Sequence, residues 1–429
     1  MIGICLGFSV WDLGFIQNDL QMYIIEKIRN IKKSLSHHQP LIEIFIYKDH
    51  LLHNLHAFQK AYLGLQFSPV LKANAYGHGL KEVLTLLKDQ ELPFVSIDSY
   101  YEAIIVKKLA RNLRALVIGY SRIGSIAKAD FAKTAFTIVN FDQLQEISAK
   151  LKIKKRFHLK LDTGMHRQGI LQDQYIDALK LINSNRNIIL EGLCSHLADP
   201  DNRAETQKQI ENWNRAAKYF KKAFGNIKYT HLSATGGVRY SKKIDANLVR
   251  LGIGFYGIDS NLSCLKPALE MRSIITGIKE IGAGEKIGYG FTPLENVIGE
   301  AGGDVRPQIN RLSNATDRSL TGFTFTAKEK IKIATIPAGF YEGVDRRLSN
   351  IGNLKIAEQY AAILGRVSMN ITTVDITNIA SAGYGSEVTI ISKNSEDKNS
   401  VQNIAQICQT LAYDILVHIP EHLRRTVVL

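Results

Sequence analysis

Between residues 69 and 253, short apolar, β-branched runs alternate with longer segments of helical period. The runs lie at 69–71, 94–97, 115–118, 136–139, 157–161, 188–194, 229–232 and 248–253. Helix-period segments between them include 100–111, 142–151, 172–182 and 205–224. Strands alternating with helices call for parallel βα units, and eight such units close a barrel. An open doubly wound sheet would alternate too. It usually carries a glycine-rich phosphate loop after its first strand, and none stands here. The expected fold is α/β, a (β/α)8 barrel of the TIM type spanning 41–270. A strand-like run at 42–47 and a helical stretch at 49–62 are read with it.

After about residue 259 the pattern changes. Short strands with glycine-containing turns are expected at 276–281, 330–336, 361–367 and 387–391, with one helix at 401–416. These predict a second, mainly β domain over 271–429. Residues 1–40 form an N-terminal extension whose stretch 18–35 could be an amphipathic helix. Residues 291–322 look like an inserted loop. Gly290-Phe291-Thr292 recurs at 322–324 and Arg311-Leu312-Ser313-Asn314 at 347–350, and the stretch between has few apolar residues.

The chain is 45% hydrophobic and 22% charged, an ordinary balance for a globular protein. Its formal net charge of +14 comes from scattered Lys and Arg, with only short runs such as 152–156. A solvated basic surface is expected rather than a nucleic-acid partner. Cys5, Cys194, Cys264 and Cys408 show no C-x-x-C pairing, so neither a disulfide framework nor a metal site is expected, and a reducing cytoplasm fits. Residues 1–17 are apolar but contain Asp12, lack a basic start and are too short to span a bilayer. No membrane association is expected.

In such a barrel, functional groups sit where strands end and loops begin. Lys72 directly follows the first barrel strand. A lysine there either reaches out to solvent or lies in a partly apolar mouth, where a neutral amine can react with an aldehyde. After strand five come Lys160 and Asp162 to Gly169; Asp162 and Thr163 suit a turn, Arg167 a carboxylate clamp. The sixth strand ends at His196, whose ring is either structural or available to a flat cofactor. Loops after strands seven and eight are the usual phosphate site. There Thr235 offers a hydroxyl, and Gly252 and its neighbours offer unobstructed N–H groups. A glycine-rich barrel corner is the alternative. Tyr289 between two glycines, and the loop 365–370, are weak signals alone.

Together these segments resemble the alanine racemase family, fold-type III pyridoxal-phosphate enzymes. VLKANAYGHG from Val70, KLDTGMHR from Lys160, RLGIGFYG from Arg250, IGYG from Ile287 and GRVSMN from Gly365 follow that family's order, and IPAGFYEG from Ile336 does so more loosely. The resemblance runs from about Ile42 to the C-terminus, apart from the insertion. It implies pyridoxal 5'-phosphate as cofactor, interconversion of L- and D-alanine for cell-wall peptidoglycan, and a homodimer with each site at the subunit interface. By position, Lys72 would hold the cofactor aldehyde and serve as one base, and Tyr289 of the other subunit would be the second. Tyr76, Thr235, Gly252 and Ile253 would take the phosphate. His196 would lie against the pyridine ring and Arg250 would face its nitrogen. Arg167 would bind the substrate carboxylate and Met369 would line the pocket. Lys160 matches a position that can be carbamylated, and Asp201 and Arg366 match an approach corridor. Three departures stand out. Asn370 replaces a usual Asp, Phe340 a common Tyr, and 419–425 lacks the tyrosine that often contacts the phosphate. Two rival readings are a racemase of another small amino acid such as serine, and a cofactor-binding protein without turnover.

Overall fold

The computed structural model describes residues 39–258, 262–289 and 325–428. The helix expected at 18–35 and the insertion expected at 291–322 lie outside these residues. The eight barrel strands are β2 (Gln66–Pro69), β3 (Val95–Ile97), β4 (Ala115–Val117), β5 (Thr134–Ile138), β6 (Lys155–Lys160), β7 (Ile188–Cys194), β8 (Tyr229–His231) and β9 (Leu248–Leu251). β3 to β8 form one six-stranded sheet in sequence order, and β2 pairs with β9. All these pairings are parallel. Parallel bridges from Val70 to Ser96 and from Ala234 to Arg250 close the circle.

Parallel strands covered on both faces are buried along most of their length, and β5 is buried throughout. Inside the ring, Phe94, Leu116, Ala135, Tyr229 and Leu248 pack into an apolar cluster. Outside it, the longest helix among the described residues, Arg203–Ala223, turns Thr206, Ile210, Trp213, Ala217 and Phe220 inward at helical spacing. Asn202 starts that helix by accepting a hydrogen bond from the Glu205 N–H. Ser99 and Glu102 form a reciprocal cap on helix Tyr100–Leu109.

The mainly β second domain holds a six-stranded sheet and a three-stranded sheet. The described strands after the barrel are β10 (Leu269–Ile274), β11 (Gly277–Ile281), β12 (Lys286–Ile287), β13 (Phe325–Thr326), β14 (Ile331–Ile336), β15 (Asn353–Ile356), β16 (Gln359–Ala362), β17 (Thr372–Asp375), β18 (Glu387–Ile391) and β19 (Arg424–Val428). Two expectations are corrected here. The strand read with the barrel at 42–47 is β1 (Glu43–Tyr47), which pairs antiparallel with β10 and parallel with β19. The first barrel strand therefore begins at Gln66. The reason is visible in the burial of β1. Only Ile44 and Ile46 are fully buried, alternating with half-buried neighbours, which is the mark of a strand with one covered face. The single helix expected at 401–416 is two, Val401–Ile407 and Ala412–Val417. Between them Gln409 takes a φ of 52°, which ends a right-handed helix.

Candidate active site

Lys72 opens the loop after β2. The four residues that follow, Ala73, Asn74, Ala75 and Tyr76, all have φ between 52° and 54°. A left-handed turn of non-glycine residues costs about 1–2 kcal/mol per residue, so its surroundings must hold it. The Asn74 side chain accepts from the Leu80 N–H at 2.8 Å, and the Ala75 N–H donates to the Leu71 carbonyl at 2.8 Å. His78 is buried, with its ring 4.3 Å from that of Tyr256. At Gly77 the chain passes the Leu416 carbonyl so closely that a Cβ would lie 2.0 Å from the oxygen. Arg425 donates to the Gly77 carbonyl at 2.9 Å. The turn is thus clamped between the barrel and the chain's C-terminal segment.

Tyr76 leans over Gly252, where a Cβ would lie 3.2 Å from its hydroxyl and 4.0 Å from Thr235 Oγ1. The Gly254 N–H donates to Thr235 Oγ1 at 3.2 Å, while the Gly252 and Ile253 N–H groups have no acceptor among the described residues. Tyr76, Thr235, Gly252 and Ile253 make a polar cradle. Burial, with the neighbouring Tyr413, pushes the Tyr76 hydroxyl up to about 12, so it stays protonated and donates. The ring of Tyr413 stands edge-on to Tyr76, 6.4 Å away. Tyr413 was missed at the sequence level, where a tyrosine was sought only in 419–425. Its signal is a half-exposed aromatic in the first turn of helix Ala412–Val417.

Arg250, on β9, is buried. Its guanidinium donates to the Ser195 carbonyl at 2.6 Å, to the His231 carbonyl at 3.0 Å and to the Leu232 carbonyl at 3.2 Å. It also meets His196 Nδ1 at 3.1 Å and His231 Nδ1. Burial, and then the charges of Arg250, Lys160, Arg167 and Lys72, hold the His196 ring down to about 3, so it is neutral. Burial and the same cations lower the Lys160 ammonium, which donates to Gln168 at 2.9 Å. Lys72, Lys160, Arg167 and Arg250 therefore converge on His196 at the C-terminal mouth of the barrel. Among the described residues none of the four has a carboxylate partner; Asp162 spends its Oδ1 on the N–H groups of Gly164, Met165 and His166. Unbalanced cations beside free N–H groups favour an anionic ligand.

The structure thus gathers Lys72, Tyr76, His196, Thr235, Arg250, Gly252 and Ile253, with Arg167 and Lys160 alongside. It does not bring Tyr289 or Met369 into this group. Both are exposed, at 68% and 60%, and Tyr289 has no side-chain partner among the described residues. Asp201 ion-pairs with Arg239 at 2.6 Å. Asn370 donates to the buried Glu342 at 2.5 Å, and Glu342 also accepts from the Gly339 N–H. A carboxylate at 370 would face a second carboxylate, which accounts for the amide there. The half-exposed Phe340 ring is covered by Arg346, 5.6 Å away.

An eight-stranded parallel barrel with a cationic mouth, followed by a β domain, defines an enzyme whose site lies on the barrel's C-terminal rim. The chain belongs to the alanine racemase family: residues 46–260 match that family's N-terminal domain and 312–427 its C-terminal domain. It is 28% identical over 392 residues to an alanine racemase of Borreliella burgdorferi, covering 89% of this chain and 96% of the relative. In fold it is similar to an alanine racemase of Clostridium difficile 630, with a TM-score of 0.76 at 24% identity, covering 91% of this chain and 96% of the other. It is likewise similar to that of Bacillus anthracis with bound L-Ala-P, with a TM-score of 0.76 at 21% identity and the same coverage.

Proposed function

We propose that this protein is a pyridoxal-phosphate-dependent racemase that interconverts L- and D-alanine. The observation that carries this is the convergence of Lys72, Lys160, Arg167 and Arg250, without a carboxylate, beside the cradle of Tyr76, Thr235, Gly252 and Ile253. That donor set fits the group: a phosphate for the cradle, a flat ring for neutral His196 and Arg250, an aldehyde for Lys72. When bound, pyridoxal phosphate supplies the electron-withdrawing system that makes an amino acid's Cα proton acidic.

The chain's own residues do the rest. Arg167 holds the substrate carboxylate by charge and hydrogen bonding. Arg250 cannot give up its proton, so it presents a donor to the ring nitrogen and repels a second proton there. Racemisation needs a base on each face of Cα, one removing a proton and the other returning one. Lys72 takes one face. Tyr289 is exposed on its own chain and takes the other face from across a homodimer interface, as Tyr289 of the partner subunit, with Met369 lining the pocket beside it. In this reading the barrel and β domains are 41–270 and 271–429, apart from β1. In this reading the product supplies cell-wall peptidoglycan from the cytoplasm; the names of the relatives support the racemase activity alone.

The test is direct. Purified full-length chain with added pyridoxal phosphate should convert L-alanine to D-alanine faster than it converts L-serine. Borohydride should fix the cofactor covalently to Lys72. No D-alanine, or label on another lysine, would overturn the proposal; faster conversion of serine would move it to a different substrate.

A further inference from the structure

Arg250 is connected to the opposite end of the barrel. Its Nη1 meets His231 Nδ1, and His231 Nε2 lies 2.7 Å from His158 Nδ1. Among the described residues His158 Nε2 has no hydrogen-bond partner, but it lies 3.8 Å from Glu191 Oε2, too long for a hydrogen bond and close enough for the carboxylate to orient the ring's N–H dipole. Glu191 in turn takes a bidentate pair from Arg114, at 3.0 and 2.7 Å, and one bond from Arg156 at 3.1 Å. Arg114 directly precedes β4 and Arg156 is the second residue of β6, so this end is the N-terminal rim. The chain of groups crosses the barrel interior among Phe94 and Tyr229.

We infer that Glu191 positions Arg250 through His158 and His231, two neutral imidazoles that each carry their single proton on Nε2. The tautomers follow by elimination. A guanidinium has only donors, so His231 Nδ1 must accept. Its one proton is then on Nε2 and is donated to His158 Nδ1. His158 must keep its own proton on Nε2, aimed at the carboxylate. No other assignment satisfies every bond, because a second proton on His158 would leave His231 with none.

Two backbone features build this path and have no other evident use. The register between β6 and β7 slips at Phe157/His158, so that Phe157 faces Leu190 and His158 faces Gly192. Glu191 is the extra residue of that bulge, and bulges re-aim side chains. Gly192 leaves room for the imidazole, since a Cβ there would lie 2.6 Å from His158 Nδ1. Burial keeps both rings from charging, with Arg250 adding to it in each case. Arg114 also disfavours charge on His158, and Lys160 on His231, whereas Glu191 alone favours it. At Glu191 burial pushes upward, but the paired Arg114 guanidinium pulls the carboxyl below its ordinary range, so it is ionised. The buried guanidinium of Arg250, which lacks a direct carboxylate, thereby faces an ordered line of dipoles ending in an anion.

The role in positioning rests on the racemase reading; the tautomers do not, and the experiment separates them. The full chain, loaded with pyridoxal phosphate and labelled with nitrogen-15 in its histidine rings, would be studied by long-range proton–nitrogen correlation. His158→Gln and His231→Gln would assign the two signals. Both rings should show a bare Nδ1 and a protonated Nε2, unchanged from about pH 6 to about pH 8. A proton on Nδ1 of either ring would overturn the relay. In the second arm, Glu191→Gln and His158→Leu should each lower kcat about tenfold with KM held within about twofold, the scale of one weakened hydrogen bond. His158→Gln, whose amide still accepts and donates, should recover most of the rate. Variants that melt earlier but keep kcat would show Glu191 to be a structural plug and overturn the positioning role. Expected tautomers in a chain that never racemises would overturn the proposed reaction and leave the relay standing.

Discussion

Glu342 and Asn370 give one residue-scale prediction. In Asn370→Asp, a new carboxylate would sit against a buried one, and one of the two would have its pKa raised in the folded state. A raised carboxyl pKa costs nothing where the group is protonated in both states and costs most above its folded pKa. The variant should therefore be destabilised by about 1–3 kcal/mol at pH 7, and much less near pH 4, as read from urea midpoints. An equal loss at both pH values would mean that lost packing, not charge, is responsible. Buried imidazoles act in the opposite direction. His78 is held down to about 4, chiefly by burial, and His196 to about 3 by burial and the neighbouring cations. Each has a folded pKa below the unfolded one, so stability is full above about pH 6.5 and falls as acid protonates the unfolded chain. The loss at pH 5 should be about 1–2 kcal/mol for each ring, seen as a lower denaturation midpoint. Much of the candidate site was legible at this scale, because a lysine, two arginines and glycines at strand ends carry their chemistry in their position. Tyr413 was not. What makes it relevant is the ring of Tyr76, contributed by a segment more than half the chain away.

Among the elements, the left-handed turn after Lys72 is the least legible from sequence. Nothing in Ala-Asn-Ala-Tyr announces four positive φ values; the conformation is imposed by Leu416, Arg425 and Tyr256 from elsewhere in the chain. Ala73 is exposed and pays a steric cost that glycine would not. Ala73→Gly should leave the melting temperature unchanged or raise it, against the usual destabilisation by glycine in ordered structure. A clear drop would indicate that the turn is not left-handed in solution. The barrel strands were readable because parallel strands need continuous apolar runs. β1 was misplaced although Glu-Ile-Phe-Ile-Tyr alternates: a strand's pattern reports how many faces are buried, but not which sheet buries them.

For the whole molecule, the site of a single chain contains Lys72 but leaves Tyr289 exposed. Lys72→Ala and Tyr289→Phe should each be inactive alone. Mixed after refolding they should regain part of the activity, because one of the two sites in a hybrid dimer would hold both bases. Hybrids that form and stay inactive would place both bases in one chain. The sheet of the β domain has a further consequence. β1 is among the first of the described residues to leave the ribosome, and one of its two partner strands, β19, is the last. Glu43 accepts a hydrogen bond from Thr426, 383 residues later. At about 5–20 residues per second, β1 waits tens of seconds for that partner, with that edge unpaired while the barrel residues have already been made. An unpaired edge is a template for pairing with other chains, so a nascent chain of this protein is prone to associate through β1 until β19 arrives. A stop codon placed before Arg424, which removes β19, should send much of the product into inclusion bodies even though every barrel residue has been made.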